Sequence, residues 1–180
     1  MADVNQLITD FYRVAQNRDF ARDFNFRLLG ITAGSTTSTF TQDDLVYLKA
    51  AELPARQITN IAVPYMGLKF NVPGNASYPS SDQYTLKFYA DAKSKIRQSF
   101  EKWTRDIFDD ATSSGNYFTP KAASVIDMVQ LDNQNNKIAQ YQLVGVSVIN
   151  CGPLAYSISD GTGATIEFTA TISYHYWTKK

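Results

Sequence analysis

Few side chains in this 180-residue chain could carry chemistry at neutral pH, and their spacing restricts them further. There is one histidine, His175, and one cysteine, Cys151. A cysteine nucleophile needs a base to hold it as thiolate. Only His175 could serve Cys151, and no recognisable signature surrounds Cys151-Gly152-Pro153. A metal centre needs several His, Cys or carboxylate ligands at ligand spacing, and His175 has no such neighbours in sequence. The carboxylate pairs Asp43-Asp44 and Asp109-Asp110 stand beside turn-forming residues and lack the alternating acids and closing Glu of a calcium loop. Gly161-Thr162-Gly163 precedes a strand pattern and not a helix, so it reads as a turn and not as a phosphate cradle. The sequence therefore predicts no catalytic residue, no metal and no cofactor.

The same restraint applies to partners. Lys+Arg and Asp+Glu both total 17, evenly divided between the two halves of the chain. No basic arm advertises nucleic acid or an anionic membrane, and a net charge of zero gives little repulsion between copies. The 11 Tyr, 11 Phe and 2 Trp could stack bases, but most fall on alternating apolar positions, which points to core packing. One cysteine excludes an intramolecular disulfide and suits a reducing compartment. The start Met-Ala-Asp-Val-Asn has no signal-peptide character, and no run approaches transmembrane length. Synthesis in cytoplasm and a single domain over residues 1–180 are expected.

The elements that must position these groups are mainly strands. Residues 165–177 alternate strictly, with Ile166, Phe168, Ala170, Ile172, Tyr174 and Tyr176 on one parity and Thr165, Glu167, Thr169, Thr171, Ser173 and His175 on the other. This predicts one long strand with a buried face, which in turn needs long neighbours and a broad apolar layer. Residues 84–89 alternate equally well, and residues 24–31 and 45–51 read as shorter strands. Residues 125–131 and 137–149 bracket the turn-forming run Asp132-Asn133-Gln134-Asn135-Asn136, a hairpin. In the second of these strands the apolar phase slips at Gly145, from Ala139, Tyr141 and Leu143 to Val144, Val146 and Val148. That slip predicts a bulge, or a corner where the strand passes from one sheet to another.

Helical periodicity marks residues 3–16, and again the segment after Asp91, a candidate N-cap, where Ile96, Phe100, Trp103 and Ile107 form one stripe. The stretches 32–41, 75–82, 109–120 and 150–163 read as loops. Asn75-Ala76-Ser77 matches a glycosylation sequon, which means little without a secretory signal. Residues 55–74 predict a long hairpin with Pro64 and Pro73 within it, so that it projects from the body and does not enter a central sheet. The expected fold is an antiparallel β-sandwich or barrel of about seven or eight strands, with a flanking α-helix, a short N-terminal helix and the projecting hairpin.

From about Leu45 onward the chain resembles the tail tube proteins of contractile-tailed (myovirus) bacteriophages. The resemblance lies in Leu53-Pro54-Ala55, the run Pro64-Tyr65-Met66-Gly67-Leu68-Lys69-Phe70-Asn71-Val72-Pro73-Gly74, the strand Gln83 to Asp91, the helix with Ser99-Phe100-Glu101-Lys102-Trp103, and the closing Phe168 to Trp177. It implies a virion protein without enzymatic activity, assembled into homohexameric rings that stack into a hollow tube. Its partners would be other copies of itself and the tail sheath, baseplate and tail terminator proteins, with DNA passing through the lumen unbound and no membrane contact. The hairpin residues Ile58, Ile61, Val63, Tyr65, Met66, Leu68 and Phe70 would then touch the adjacent ring, and Glu167, Thr169, Thr171 and Ser173 would face the lumen. Related readings are a baseplate tube-initiator, or the tube of a contractile injection system, including the hemolysin-coregulated protein of type VI secretion. A reading of another class, a small-molecule-binding β-barrel of the lipocalin kind, would need a cavity where Leu86, Phe88, Phe168, Ile172 and Tyr174 look bulky enough to fill it.

Overall fold

The computed structural model describes residues 8–33, 40–115, 123–159 and 161–180. Residues 3–7 of the expected first helix, 34–39 of the first loop and 116–120 of the third lie outside them. In chain order, α1 (Ile8–Asn17) leads into β1 (Phe26–Thr32), and a single helical turn, α2 (Gln42–Leu45), precedes β2 (Leu48–Ala51). The hairpin β3 (Gln57–Tyr65) and β4 (Leu68–Ser77) follows, then β5 (Tyr84–Tyr89), α3 (Lys95–Ile107) and the short pair β6 (Phe108–Asp109) and β7 (Ser114–Gly115). The chain closes with β8 (Val125–Leu131), β9 (Lys137–Val144), β10 (Ser147–Cys151), β11 (Glu167–Ser173) and β12 (Tyr176–Lys179).

Eight of these strands form two antiparallel sheets, in the orders β1-β8-β9-β12 (sheet A) and β10-β11-β5-β2 (sheet B). Period-2 alternation gives each sheet one apolar face, and these faces share a single core. Leu86, Phe88, Phe168, Ala170 and Ile172 of sheet B join Leu28, Ile31, Ile126, Met128 and Leu143 of sheet A in one buried cluster. The stripe of α3 completes it: the Phe100 ring lies 5.5 Å from Phe88 and 6.1 Å from Phe168, with Trp103 and Ile96 buried beside it. Phe40, from a stretch without periodicity, also packs on this stripe, 4.9 Å from Phe100. The mainly β, antiparallel fold expected from the sequence is the one observed.

The slip at Gly145 is a corner. β9 ends in sheet A at Val144, Gly145 adopts φ +71°, and the chain re-enters as β10 in sheet B. A Cβ at Gly145 would lie 2.4 Å from Nδ1 of His175, whose ring covers this position. Gly145→Ala therefore meets both a left-handed backbone and a clash. We expect a loss of about 1–2 kcal/mol, read as a lower Tm; adding His175→Ala recovers the steric part only.

The long last strand is in fact two. β11 pairs with β5 and β10 in sheet B, β12 pairs with β9 in sheet A, and the crossover runs through Tyr174 and His175. The backbone there is satisfied across the junction: Tyr174 N–H donates to Ser81 O (2.8 Å) and His175 N–H to Val144 O (2.9 Å). Crossing between sheets inverts the parity, so Tyr174 is 4% exposed, Tyr176 is 42% exposed, and Trp177 is the residue packed on the core.

Smaller differences have equally local causes. The expected strand 45–51 begins only at Leu48, because the Asp44 carboxylate and the Thr41 side chain form a capping box that winds residues 42–45 into a turn of helix and buries Leu45. The main helix starts at Lys95 with Ser94 as N-cap, and Asp91 belongs to the preceding turn, accepting from Lys93 N–H (3.3 Å). Phe24 lies exposed before β1, and a bulge between Leu28 and Gly30 makes Leu28 and Ile31 the inward residues. β4 runs through Pro73 and Gly74 to Ser77, so the expected loop at 75–82 starts three residues late, and β10 takes Asn150 and Cys151 from the expected loop at 150–163.

Candidate assembly surfaces

Among the described residues the hairpin β3–β4 pairs with no other strand, and its register sorts its side chains by chemistry. The cross-strand pairs Ile61–Val72, Val63–Phe70 and Tyr65–Leu68 lie on one face, and Asn60–Pro73, Ala62–Asn71 and Pro64–Lys69 on the other. Each of the first six residues is more than a third exposed. The ribbon is thus amphipathic, with its apolar face uncovered. A two-stranded hairpin is marginal in water, and a contiguous exposed apolar patch marks an interaction surface.

The turn Met66-Gly67 places both central residues at positive φ, +48° and +79°, the signature of a type I′ hairpin turn. With Tyr65–Leu68 as the hydrogen-bonded closing pair, alternation makes Pro64–Lys69 and Asn60–Pro73 non-hydrogen-bonded pairs. An N–H at Pro64 or Pro73 would point away from the ribbon, so the ladder loses nothing. Both outer edges instead become unable to accept a further strand there. The apolar face, and not the edges, is the available surface.

Of the hairpin residues singled out in the sequence, Ile61, Val63, Tyr65, Leu68 and Phe70 come together on this face; Met66 forms the tip, and Ile58 lies beyond a bulge between Ile58 and Asn60. Val72 completes the face, and the register that pairs it with Ile61 is what assigns it there. A second uncovered apolar surface lies on α1, where Ile8, Phe11, Tyr12 and Val14 are exposed and Phe11 stacks on Phe20 with ring centroids 5.8 Å apart.

Glu167, Thr169, Thr171 and Ser173 all lie on the outer face of sheet B, opposite the buried Phe168, Ala170 and Ile172. Their cross-strand neighbours are Tyr89, Lys87, Thr85 and Ser147. Lys49 donates to the Glu167 carboxylate and stands 5.4 Å from the Tyr89 ring. The hydrogen bond to Glu167 holds the Lys49 ammonium above its usual pKa. The face is rich in hydroxyls, with Lys49 paired to Glu167 and Lys87 exposed beside Thr169 without an ion pair among the described residues.

The other candidates resolve into structure. Cys151 is half-buried, its Sγ 3.9 Å from Arg97 O, and burial pushes its thiol pKa up, against the nearby Arg97 guanidinium, which lowers it. That is the reverse of an activated nucleophile. Cys151 stands at one end of the β10–β11 pairing, which runs from Ser147–Ser173 to Cys151–Ala170, and His175 lies beyond the other, so they form no dyad. Asp109 accepts from Ala111 N–H and Thr112 Oγ1, both at 2.9 Å, and these bonds hold its carboxyl below the usual range. Among the described residues no group of three His, Cys, Asp or Glu is placed to hold a metal ion, and no helix is long and apolar enough to cross a membrane. A groove of about 650 Å³ beside α2 and the start of α3 is lined by Asp43, Tyr47, Asp91, Lys95 and Lys102, outside the sandwich. Between the sheets, Leu86, Phe88, Met128 and Ile172 fill the interior.

Two antiparallel sheets over one core, a helix closing that core and a hairpin with an uncovered apolar face define a β-sandwich with exposed apolar surfaces. A family model described as phage tail tube protein matches residues 15–180, and the chain belongs to that family. Its fold is similar to a chain in the six-fold symmetrised anti-feeding prophage baseplate, with a TM-score of 0.57 at 10% identity over 91% of this chain and 97% of that one. It is also similar to a chain in the tube-terminating cap of the anti-feeding prophage, at 0.56 and 9% over 91% and 92%. A chain in the extended PVC sheath-tube complex of an extracellular contractile injection system matches at 0.55 and 7% over 94% and 96%. Identities this low speak to fold alone. Among curated protein sequences none matches this chain.

Proposed function

We propose that this chain is a structural, non-enzymatic tail tube subunit that closes into homohexameric rings and stacks them into the hollow inner tube of a contractile phage tail. All 180 residues serve as one tail-tube domain, made in the host cytoplasm and carried in the virion. The observation that carries the reading is the amphipathic hairpin of a tail tube family member: an apolar face uncovered in the protomer, with edges closed by Pro64 and Pro73. Stacking covers that face with the adjacent ring. Ring closure pairs the free edges of the two sheets between copies, removing their unpaired backbone groups. Sheath, baseplate and tail terminator are the expected partners.

The hydroxyl-rich outer face of sheet B, with Glu167, Thr169, Thr171 and Ser173, lines the lumen in this reading. Strong phosphate contacts would hold passing DNA, and a face whose Lys49 is paired with Glu167 offers few, Lys87 beside Thr169 being the exception. A second reading, the tube of a contractile injection system, is favoured by the fold likeness to chains of the anti-feeding prophage and PVC particles. Capsid and terminase genes beside this one indicate a phage, and their absence an injection system. Electron microscopy of the purified full-length chain is expected to show six-fold rings and tubes of uniform bore. A protein that stays monomeric even with baseplate partners present overturns the assembly.

A further inference from the structure

The hairpin leaves the body where one short stretch of chain holds both of its legs. On the incoming leg, Trp177 Nε1 donates to Ala55 O at 3.0 Å, and the Tyr84 hydroxyl donates to Glu52 O. Pro54, between these two carbonyls, is buried. Residues 52–56 belong to no strand, so the two side chains supply hydrogen bonds that a sheet would otherwise give. On the outgoing leg, Tyr174 N–H donates to Ser81 O at 2.8 Å, and the Tyr78 ring meets Tyr174 edge-on at 6.5 Å. Tyr174 stands edge-on to Tyr84 at 5.8 Å, and Trp177 to Tyr141 at 5.6 Å, so the holding groups are themselves braced by the core.

We infer that the crossover from Tyr174 to Trp177, together with Tyr84, is a clamp that fixes the direction of the hairpin, and that Trp177 is a positioning residue for its docking on a second copy of this chain. The docking half rests on the stacking reading above. The mechanical need follows from length: a nine-residue strand spans about 30 Å at its usual rise. A swing of roughly 10° at the root moves the tip of such a strand by about 5 Å, enough to miss a side-chain-sized contact.

The test uses the full-length chain below its assembly threshold, in a Cys151→Ser background, with spin labels at Met66→Cys on the tip and Gln134→Cys on the β8–β9 turn. Trp177→Phe keeps a ring against Tyr141 but removes the donor together with part of the indole; Tyr84→Phe removes only the hydroxyl on Glu52, so it isolates the loss of a hydrogen bond and covers the case in which the first variant fails to fold. The expected result is a narrow interlabel distance distribution that broadens and shifts in either variant, while each variant still melts cooperatively as a folded sandwich, and a raised concentration threshold for tubes. Distributions that stay as narrow as the parent's overturn the clamp. The hairpin-face variant Phe70→Asp separates the two layers. If it still forms tubes while Trp177→Phe broadens the distribution, the clamp holds and the stacking reading fails. If it blocks tubes while both clamp variants stay narrow, the clamp fails and the stacking reading stands.

Discussion

Ala170→Asp is expected to abolish the cooperative melt of this protein and send it to the insoluble fraction. Ala170 is 0% exposed and lies in the middle of β11, level with Leu86 of β5 on one side and Cys151 of β10 on the other. A carboxylate there loses its water and finds no cation in exchange. The Arg97 guanidinium on α3, close enough to act on the neighbouring Cys151, already donates to Glu101 and to Gly152 O. An uncompensated buried ion costs several kcal/mol even after relaxation, against a total stability of about 5–15 kcal/mol for an ordinary domain. The matching control is Glu167→Gln on the opposite face of the same strand. It removes the ion pair between Glu167 and Lys49, whose side chains are each 38% exposed and solvent-screened, so the melt should stay close to the parent's. Circular dichroism melts of the two variants decide the matter: wild-type melting of Ala170→Asp would mean that the buried face of β11 is the hydroxyl-rich one.

This strand also shows what the sequence could and could not reveal. Over Glu167–Ser173 the alternation of the side chains is the alternation of burial, because the strand stays in sheet B throughout, beside β5 from Glu167 to Ile172 and beside β10 from Ala170 to Ser173. Beyond Ser173 the side-chain pattern continues through Tyr174 and Tyr176, yet the strand does not. Nothing in the order of residues distinguishes a bend here. What decides it is a distant partner: β9 offers an open edge in sheet A, and the larger indole of Trp177 takes the interior place in preference to the Tyr176 ring. At Gly145, by contrast, the partner corner was legible, since a glycine coincides with a slip in apolar phase. The two corners are one structure, with His175 lying over Gly145, and only the glycine half of it leaves a local signal.

The same division runs through the contact surfaces. The hairpin and its prolines could be read from composition, because proline excludes a central strand wherever it falls. Five residues of its apolar face can be named from the sequence, but Met66 and Ile58 group with them there, and Val72 joins the face only when the register places it opposite Ile61. The capping box at Thr41 and Asp44 had a sequence signal, Thr-x-x-Asp, which the apolar run after it obscured. The holding bonds of Trp177 and Tyr84 had none. They join residues 122 and 32 positions from their acceptors and depend on carbonyls, which every residue has.

Phe70→Asp is expected to leave rings intact and to eliminate tubes. Phe70 faces Val63 across the ribbon and is 49% exposed, so in the unstacked subunit the new carboxylate stays hydrated and the cost falls near 0.5 kcal/mol or less, as for surface substitutions in general (~0.5 kcal/mol). Stacking, on the proposed reading, takes that face out of water. The charge then enters an apolar contact without a partner, a penalty of several kcal/mol at each copy. Because every subunit of a ring repeats it, even about 1 kcal/mol apiece compounds into orders of magnitude in the stacking equilibrium. Lys69→Glu, one residue away on the opposite face beside Pro64, should stack as the parent does. Negative-stain microscopy of both variants reads the outcome directly. If Lys69→Glu blocks stacking and Phe70→Asp does not, the hairpin docks through the face that carries its prolines, and the apolar face has another occupant.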